Sequence, residues 1–197
     1  MSELTVPEVT LRGELEEYRK QLGALNERTH IMLVHLTPEQ LFWRPAEGAW
    51  SVGECIIHLT VSHRGMLPNI DAAIRSARLK GPYGEGPFRY GLPGSLLLQV
   101  MEPPVKRRVK TAAWAVPRAS GTSESIENDY RQSNAEVVER MRLAQGLHLG
   151  KVKVRSPFLP ILRYSLGQGF AIIAAHGRRH LWQAEQVRGN QAFPRSG

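Results

Sequence analysis

The sequence of 197 residues contains a single cysteine, Cys55, so no internal disulfide framework can staple it. Long apolar runs are also missing. The most apolar stretches, such as 170–175, are far too short to span a bilayer. The N-terminus, MSELTVPEVTLRGELEEYRK, lacks the basic start and apolar stretch of a secretory leader. These absences predict a cytoplasmic protein with no membrane partner. No internal repeat stands out, and there is no helix-turn-helix, zinc finger or aromatic-interleaved RNA motif. Nucleic acid is therefore not an expected partner.

What is present suffices for one domain over residues 1–197. The hydrophobic fraction of 42% argues against wholesale disorder, and the length allows one continuous core. The net charge of +8 is unevenly placed: residues 1–60 carry 5 basic and 9 acidic side chains, and the remainder 21 and 9. Such a field favours an anionic small molecule through long-range attraction. The run Lys106-Arg107-Arg108-Val109-Lys110 could guide one, although a solvated loop accounts for the same residues.

Residues 11, 15, 18, 22, 25, 29, 32 and 36 read Leu, Leu, Tyr, Leu, Leu, Thr, Met, Leu. This alternating 4,3 spacing, with Thr29 as its polar exception, predicts an amphipathic helix ending near His35. Thr37-Pro38-Glu39-Gln40 reads as a capping box opening a short helix. A second long helix is predicted from Ser51, with Glu54 three residues later and Trp50 placed to staple onto Cys55. Its inward face runs through Cys55, Leu59, Met66, Ile70 and Ile74, with a kink expected at Pro68. Residues 80–121 hold most of the Gly-Pro punctuation and predict a long crossover with one short helix near Ser95–Val100. A third long helix is expected over 122–148, an extended connection over 150–164, and a fourth helix over 165–188. The inward stripe of the last is Leu166, Phe170, Ile173, Gly177, His180, Ala184 and Val187. The expected fold class is all-α, a four-helix bundle with a long crossover connection.

The fourth helix carries His176-Gly177-Arg178-Arg179-His180. Residues four apart share a helix face, so both imidazoles can reach one ion. His58 lies on the inward half of the second long helix and offers a third nitrogen from a facing element. Zinc, nickel and iron(II) all accept imidazole, so the expected cofactor is a divalent ion of this kind.

Two blocks carry a resemblance. LTPEQLFWRPAEGAWSVGECIIHL, residues 36–59, and SLGQGFAIIAAHGRRHLWQAEQV, residues 165–187, resemble the DinB/YfiT-like family, classed as metal-dependent enzymes. Block order, spacing and total length all agree, while residues 80–160 add little. The resemblance implies a four-helix bundle and three histidine ligands, which map onto His58, His176 and His180. Members with assigned activity include enzymes that use a low-molecular-weight thiol, such as thiol S-transferases and mycothiol-dependent isomerases. The resemblance thus implies a small-molecule thiol substrate, transferase-type chemistry and a homodimer. To the dimer the residues add only Leu96, Leu97, Leu98 and Val100, many apolar side chains for a loop.

Other residues near these blocks have two readings. Glu54 could face the ion as a base, or only cap its helix. Cys55 could be a soft fourth ligand, or a small buried hydrophobe. Gln183, one turn beyond His180, could orient a ligand or sit at a pocket rim. His30, His35, His63 and His148 are expected at the surface or at helix ends. The rival to an enzyme is a non-catalytic bundle whose ion is structural.

Overall fold

The computed structural model describes residues 10–105, 110–159 and 161–195, with Pro93 described by its backbone alone. The basic run at 106–109 lies outside them. Capping chemistry starts four of the six helices. The N-cap residues Thr37, Ser51, Thr122 and Ser165 each accept a hydrogen bond from the backbone N–H three residues on. The side-chain oxygens of Gln40, Glu54, Ser125 and Gln168 in turn accept one from the N-cap backbone N–H. Both exchanges satisfy amides that a helix start otherwise leaves open. The elements in order are α1 (Glu14–Leu33), α2 (Pro38–Phe42), α3 (Val52–Lys80), α4 (Leu92–Met101), a 3₁₀ turn (Ala113–Ala115), α5 (Ser123–Ala144), strands β1 (Lys153–Arg155) and β2 (Arg163–Ser165), and α6 (Leu166–Arg188).

The long helices α1, α3, α5 and α6 form the bundle. α1 and α3 each pack against both α5 and α6, which places α1 and α3 on one diagonal. The core holds the predicted stripes: Cys55, Leu59, Met66, Ile70 and Ile74 of α3, and Leu166, Phe170, Ile173, Ala184 and Val187 of α6 are all buried. Each large apolar side chain so buried contributes about 1.5–3 kcal/mol. Thr29, the polar exception on α1, is buried too and donates its hydroxyl proton to the Leu25 carbonyl at 2.8 Å. That internal bond makes the hydroxyl tolerable in the core. Gly177 allows α1 and α5 to close on α6, since an added Cβ would stand 2.6 Å from Leu25 and 3.3 Å from the Tyr130 hydroxyl.

The differences from expectation lie at ends and connections. α1 stops at Leu33, and His35 turns the chain at φ 71, a conformation that histidine visits more readily than most residues. α5 ends at Ala144 rather than near His148, because Gly146 at φ 84 reverses the chain. Pro68, where a kink is expected, is exposed and lies within the single helix α3. The connection over 150–164 contains a hairpin, not only extended chain: Lys153 pairs with Ser165, Val154 with Tyr164 and Arg155 with Arg163. Strands of three residues are too short to show a periodicity in sequence. The crossover helix α4 is longer than predicted and packs on α6.

Candidate metal centre

The N-caps set the position of the histidines. Ser51 starts α3 so that His58 falls about two turns in, and Ser165 starts α6 so that His176 and His180 fall about three and four turns in. Because α3 and α6 pack together, the three rings meet. They are 4%, 7% and 7% exposed, respectively. His176 Nε2 stands 3.3 Å from His58 Nε2 and 3.0 Å from His180 Nε2. Zinc bound tetrahedrally at 2.0–2.1 Å would space nitrogens about 3.3 Å apart.

Two of the three tautomers are fixed from outside. His58 Nδ1–H donates to the Ala115 carbonyl at 2.7 Å, and His180 Nδ1–H donates to Gln183 Oε1 at 3.0 Å. Each neutral ring then has only a lone pair at Nε2. Burial holds the pKa of His58 below the ordinary imidazole range. Burial, with the proximity of the other imidazoles and of Arg179, lowers those of His176 and His180 much further. The rings are therefore neutral at pH 7. A proton on His176 Nε2 could serve only one of its two neighbours, and the Ser62 hydroxyl, 3.3 Å from His58 Nε2, is placed to serve that ring when His176 serves His180. A cation at their centre satisfies all three. On this donor chemistry the site fits a divalent ion, and outer partners such as Ala115 and Gln183 are what imidazole ligands require.

The remaining candidates separate clearly. Among the described residues, the group of ligand atoms lying within 4.8 Å of one another contains these three histidines alone. Cys55 is fully buried outside this group, and burial, then the charge of Glu54, pushes its thiol pKa far up. It packs as a hydrophobe. Glu54 is 1% exposed, with Oε2 accepting from Arg44 Nε at 2.8 Å and from the Ser51 amide at 2.9 Å, and with Oε1 bonded to Arg44 Nη2. Burial alone would raise its pKa, but Arg44 and Ser51 outweigh this and lower it. Its carboxylate is fully engaged as a cap and ion-pair partner. Gln183 does orient a ring, that of His180.

His63 corrects the sequence reading. Expected at the surface, it is fully buried, because the inward face of α3 is broad enough to meet α5 as well as α6. Its Nδ1–H donates to the Ser133 hydroxyl at 3.2 Å, and that hydroxyl donates to the Tyr130 carbonyl at 2.8 Å. Burial, with a smaller effect of His58, pushes its pKa down to about 3. His30 and His35 are exposed as expected, while His148 is half-buried against Phe88, 4.8 Å between ring centroids.

Sequence reasoning missed several neighbours of the site. Trp50, expected to staple onto Cys55, tilts against His58 at 4.7 Å and stacks on His180 at 5.6 Å between centroids. The Ser62 hydroxyl, one turn after His58, lies 3.3 Å from its Nε2, a spacing legible in principle from the helix period. The Ala115 carbonyl and Phe158 come from the crossover and the hairpin, where no local pattern announces them. No curated protein and no solved structure matches the chain. The family model of the DinB superfamily does match, over residues 21–184, a span that holds all three histidines with Ala115 and Gln183; the chain belongs to the DinB superfamily.

Proposed function

We propose that the protein is a metal-dependent enzyme in which His58, His176 and His180 hold one divalent ion, zinc, nickel or iron(II), and leave a position open for a small molecule. The observation that carries this reading is the convergence of three neutral imidazoles with no His, Cys, Asp or Glu among the described residues as a fourth member of the group. A closed fourth ligand would favour a purely structural ion, and Cys55, the candidate for that part, is packed elsewhere. When bound, the ion supplies Lewis-acid chemistry that lowers the pKa of a thiol or water entering the open position. The protein's own part is to fix the rings through Ala115 and Gln183 and to exclude bulk water with Trp50. Three neutral ligands leave the ion's full charge on the site, which favours an anionic cosubstrate such as a low-molecular-weight thiolate.

The test is a screen of thiols and electrophiles with metal-loaded and chelator-stripped protein, following thiol loss. Thiol consumption that needs both metal and a low-molecular-weight thiol is the expected result. Absence of metal-dependent turnover across a broad set, together with a chelator-induced fall in melting temperature, would replace this reading with the structural ion. A homodimer belongs to the same proposal. α4 presents Leu92, Leu96 and Val100 outward at successive turns, while Leu97 and Leu98 fold back onto the core. Light scattering should give about twice the 22.1 kDa of one chain, and a monomer mass would remove the dimer.

A further inference from the structure

Two loops distant in sequence meet beside the histidines. Trp114, in the 3₁₀ turn, stacks on Phe158 from the hairpin tip, with ring centroids 5.0 Å apart and planes inclined by 28°. Phe158 lies 6.4 Å from the His176 ring. The turn is anchored next door, since Ala115 supplies the carbonyl that fixes His58. Trp114 is also seated on α3 at Gly65, where an added Cβ would come within 2.3 Å of the indole. Gly65 follows Ser62 by three residues, so it continues the face of α3 that looks onto His58 Nε2. A glycine inside a helix costs about 1 kcal/mol relative to alanine, and here it admits the Cζ3 and Cη2 atoms of the indole.

Trp114 is nevertheless 44% exposed. A residue that served only to cover the core would be buried, whereas this one is stacked on Phe158, seated on Gly65 and still partly exposed to solvent. Val116, Leu159 and Ile161, in the same two loops, are also more than a third exposed. These few residues fall well short of the twenty or more that each side of a stable protein interface contributes. Their scale is that of a small-molecule subsite, and apolar surface with a few convergent polar groups is what such sites present.

We propose that Trp114 and Phe158 form a subsite for a flat apolar portion of the substrate, an aryl or conjugated group, whose polar reacting end lies at His58, His176 and His180. The subsite rests on the reading of those histidines as an open metal centre. It assigns the two loops a selective role: Trp114 and Phe158 choose the apolar part of the substrate, while the histidines receive its anionic end. A third aromatic ring added to an existing stacked pair gains both apolar burial and the offset geometry that rings prefer.

The test uses two metal-binding probes that differ in one group, benzohydroxamate and acetohydroxamate, with binding to zinc-loaded full-length protein measured by calorimetry. Benzohydroxamate should bind about tenfold tighter or more. That preference should shrink to about twofold or less in Trp114→Leu and Phe158→Leu, and survive largely intact in Trp114→Phe, with zinc content equal in all variants. The leucine variants keep apolar volume, so a loss of preference reads the ring and not a collapse of the loop. Equal binding of the two probes to the wild type would overturn the subsite and leave the open metal centre standing. An unchanged preference in both leucine variants would also overturn it. If the zinc-loaded protein binds neither probe, the open metal centre fails and the subsite fails with it.

Discussion

His58 and His63 lie five residues apart on one helix, both buried, and they meet opposite surroundings. His58 faces α6, where its Nδ1 is tied to a backbone carbonyl and its Nε2 joins two further lone pairs. His63 faces α5, where its Nδ1 donates to a serine hydroxyl, and its Nε2 has no protein hydrogen-bond partner. Burial lowers the pKa of both, so burial does not distinguish a ligand from a core residue. The difference lies in the company of the second nitrogen. One histidine brings its Nε2 to a group of three imidazole nitrogens that could hold a cation, and the other ends a short hydrogen-bond chain inside the core.

The largest effect expected from this contrast is on metal content. His58→Ala, His176→Ala and His180→Ala should each reduce bound divalent metal from about one ion per chain to near zero by elemental analysis. His63→Ala should retain it and lose stability instead, by about 1–3 kcal/mol, because it leaves the Ser133 oxygen without its donor. Equal metal retention in all four variants would erase the distinction between the two faces of α3. A smaller effect is expected from Gln183→Leu. This removes the acceptor behind His180 while sparing the ligand itself, and should weaken metal affinity about 10–100-fold in a chelator competition. No change in that competition would mean that the tautomer of His180 is set by the ion alone.

How much of this contrast was legible in sequence depends on the range of the interaction. α1 and α6 announced themselves through 4,3 apolar spacing, and the starts of α2 and α3 through capping residues three apart, because both signals are local. His176 and His180 were legible for the same reason, being four apart on one helix face with His180 on the apolar stripe. His58 needed a partner helix that no local pattern names, and the matching blocks supplied it. His63 was misplaced because a single stripe along α3 was read, whereas a helix wedged between two neighbours buries a wider face. Ala115, Trp114 and Phe158 come from loops whose position is fixed by tertiary contact, and Ala115 acts through its backbone, which the identity of the residue does not encode.

A pH titration of stability sharpens the comparison from another side. The fold holds His58, His63, His176 and His180 at pKa values below that of a free imidazole, about 6.5. Above that pH both folded and unfolded chains are neutral at these positions, and the full stability is present. As the pH falls below it, the unfolded chain takes up protons that the folded one refuses, so the metal-free protein should lose stability. The expected slope is about 1.4 kcal/mol per pH unit for each histidine kept neutral. His63→Phe should lower the slope without abolishing it, since the three clustered rings still resist protonation. Urea titrations at stepped pH between 7.5 and 5 would show this, and a flat profile would mean that the rings protonate in place.

The smallest effect is expected at Glu54, one turn before His58, where a carboxylate could have been the base of a reaction. Its oxygens are instead occupied by Arg44 and by the Ser51 amide, and it stands outside the histidine group. Glu54→Gln keeps an oxygen at the same place in the capping box, so the start of α3 and the position of His58 should persist. What is lost is the charge of a buried carboxylate paired with an arginine that is half exposed, so stability should fall while the site stays in place. Metal content should be unchanged, and any metal-dependent thiol turnover should stay within about threefold of the wild type. A base that moved a proton in the rate-limiting step would cost about a hundredfold or more on the same substitution. The two outcomes are far enough apart for one rate measurement to decide. A hundredfold loss at full metal occupancy would mean that Arg44 releases the carboxylate during turnover, and that α3 contributes a proton acceptor as well as a ligand.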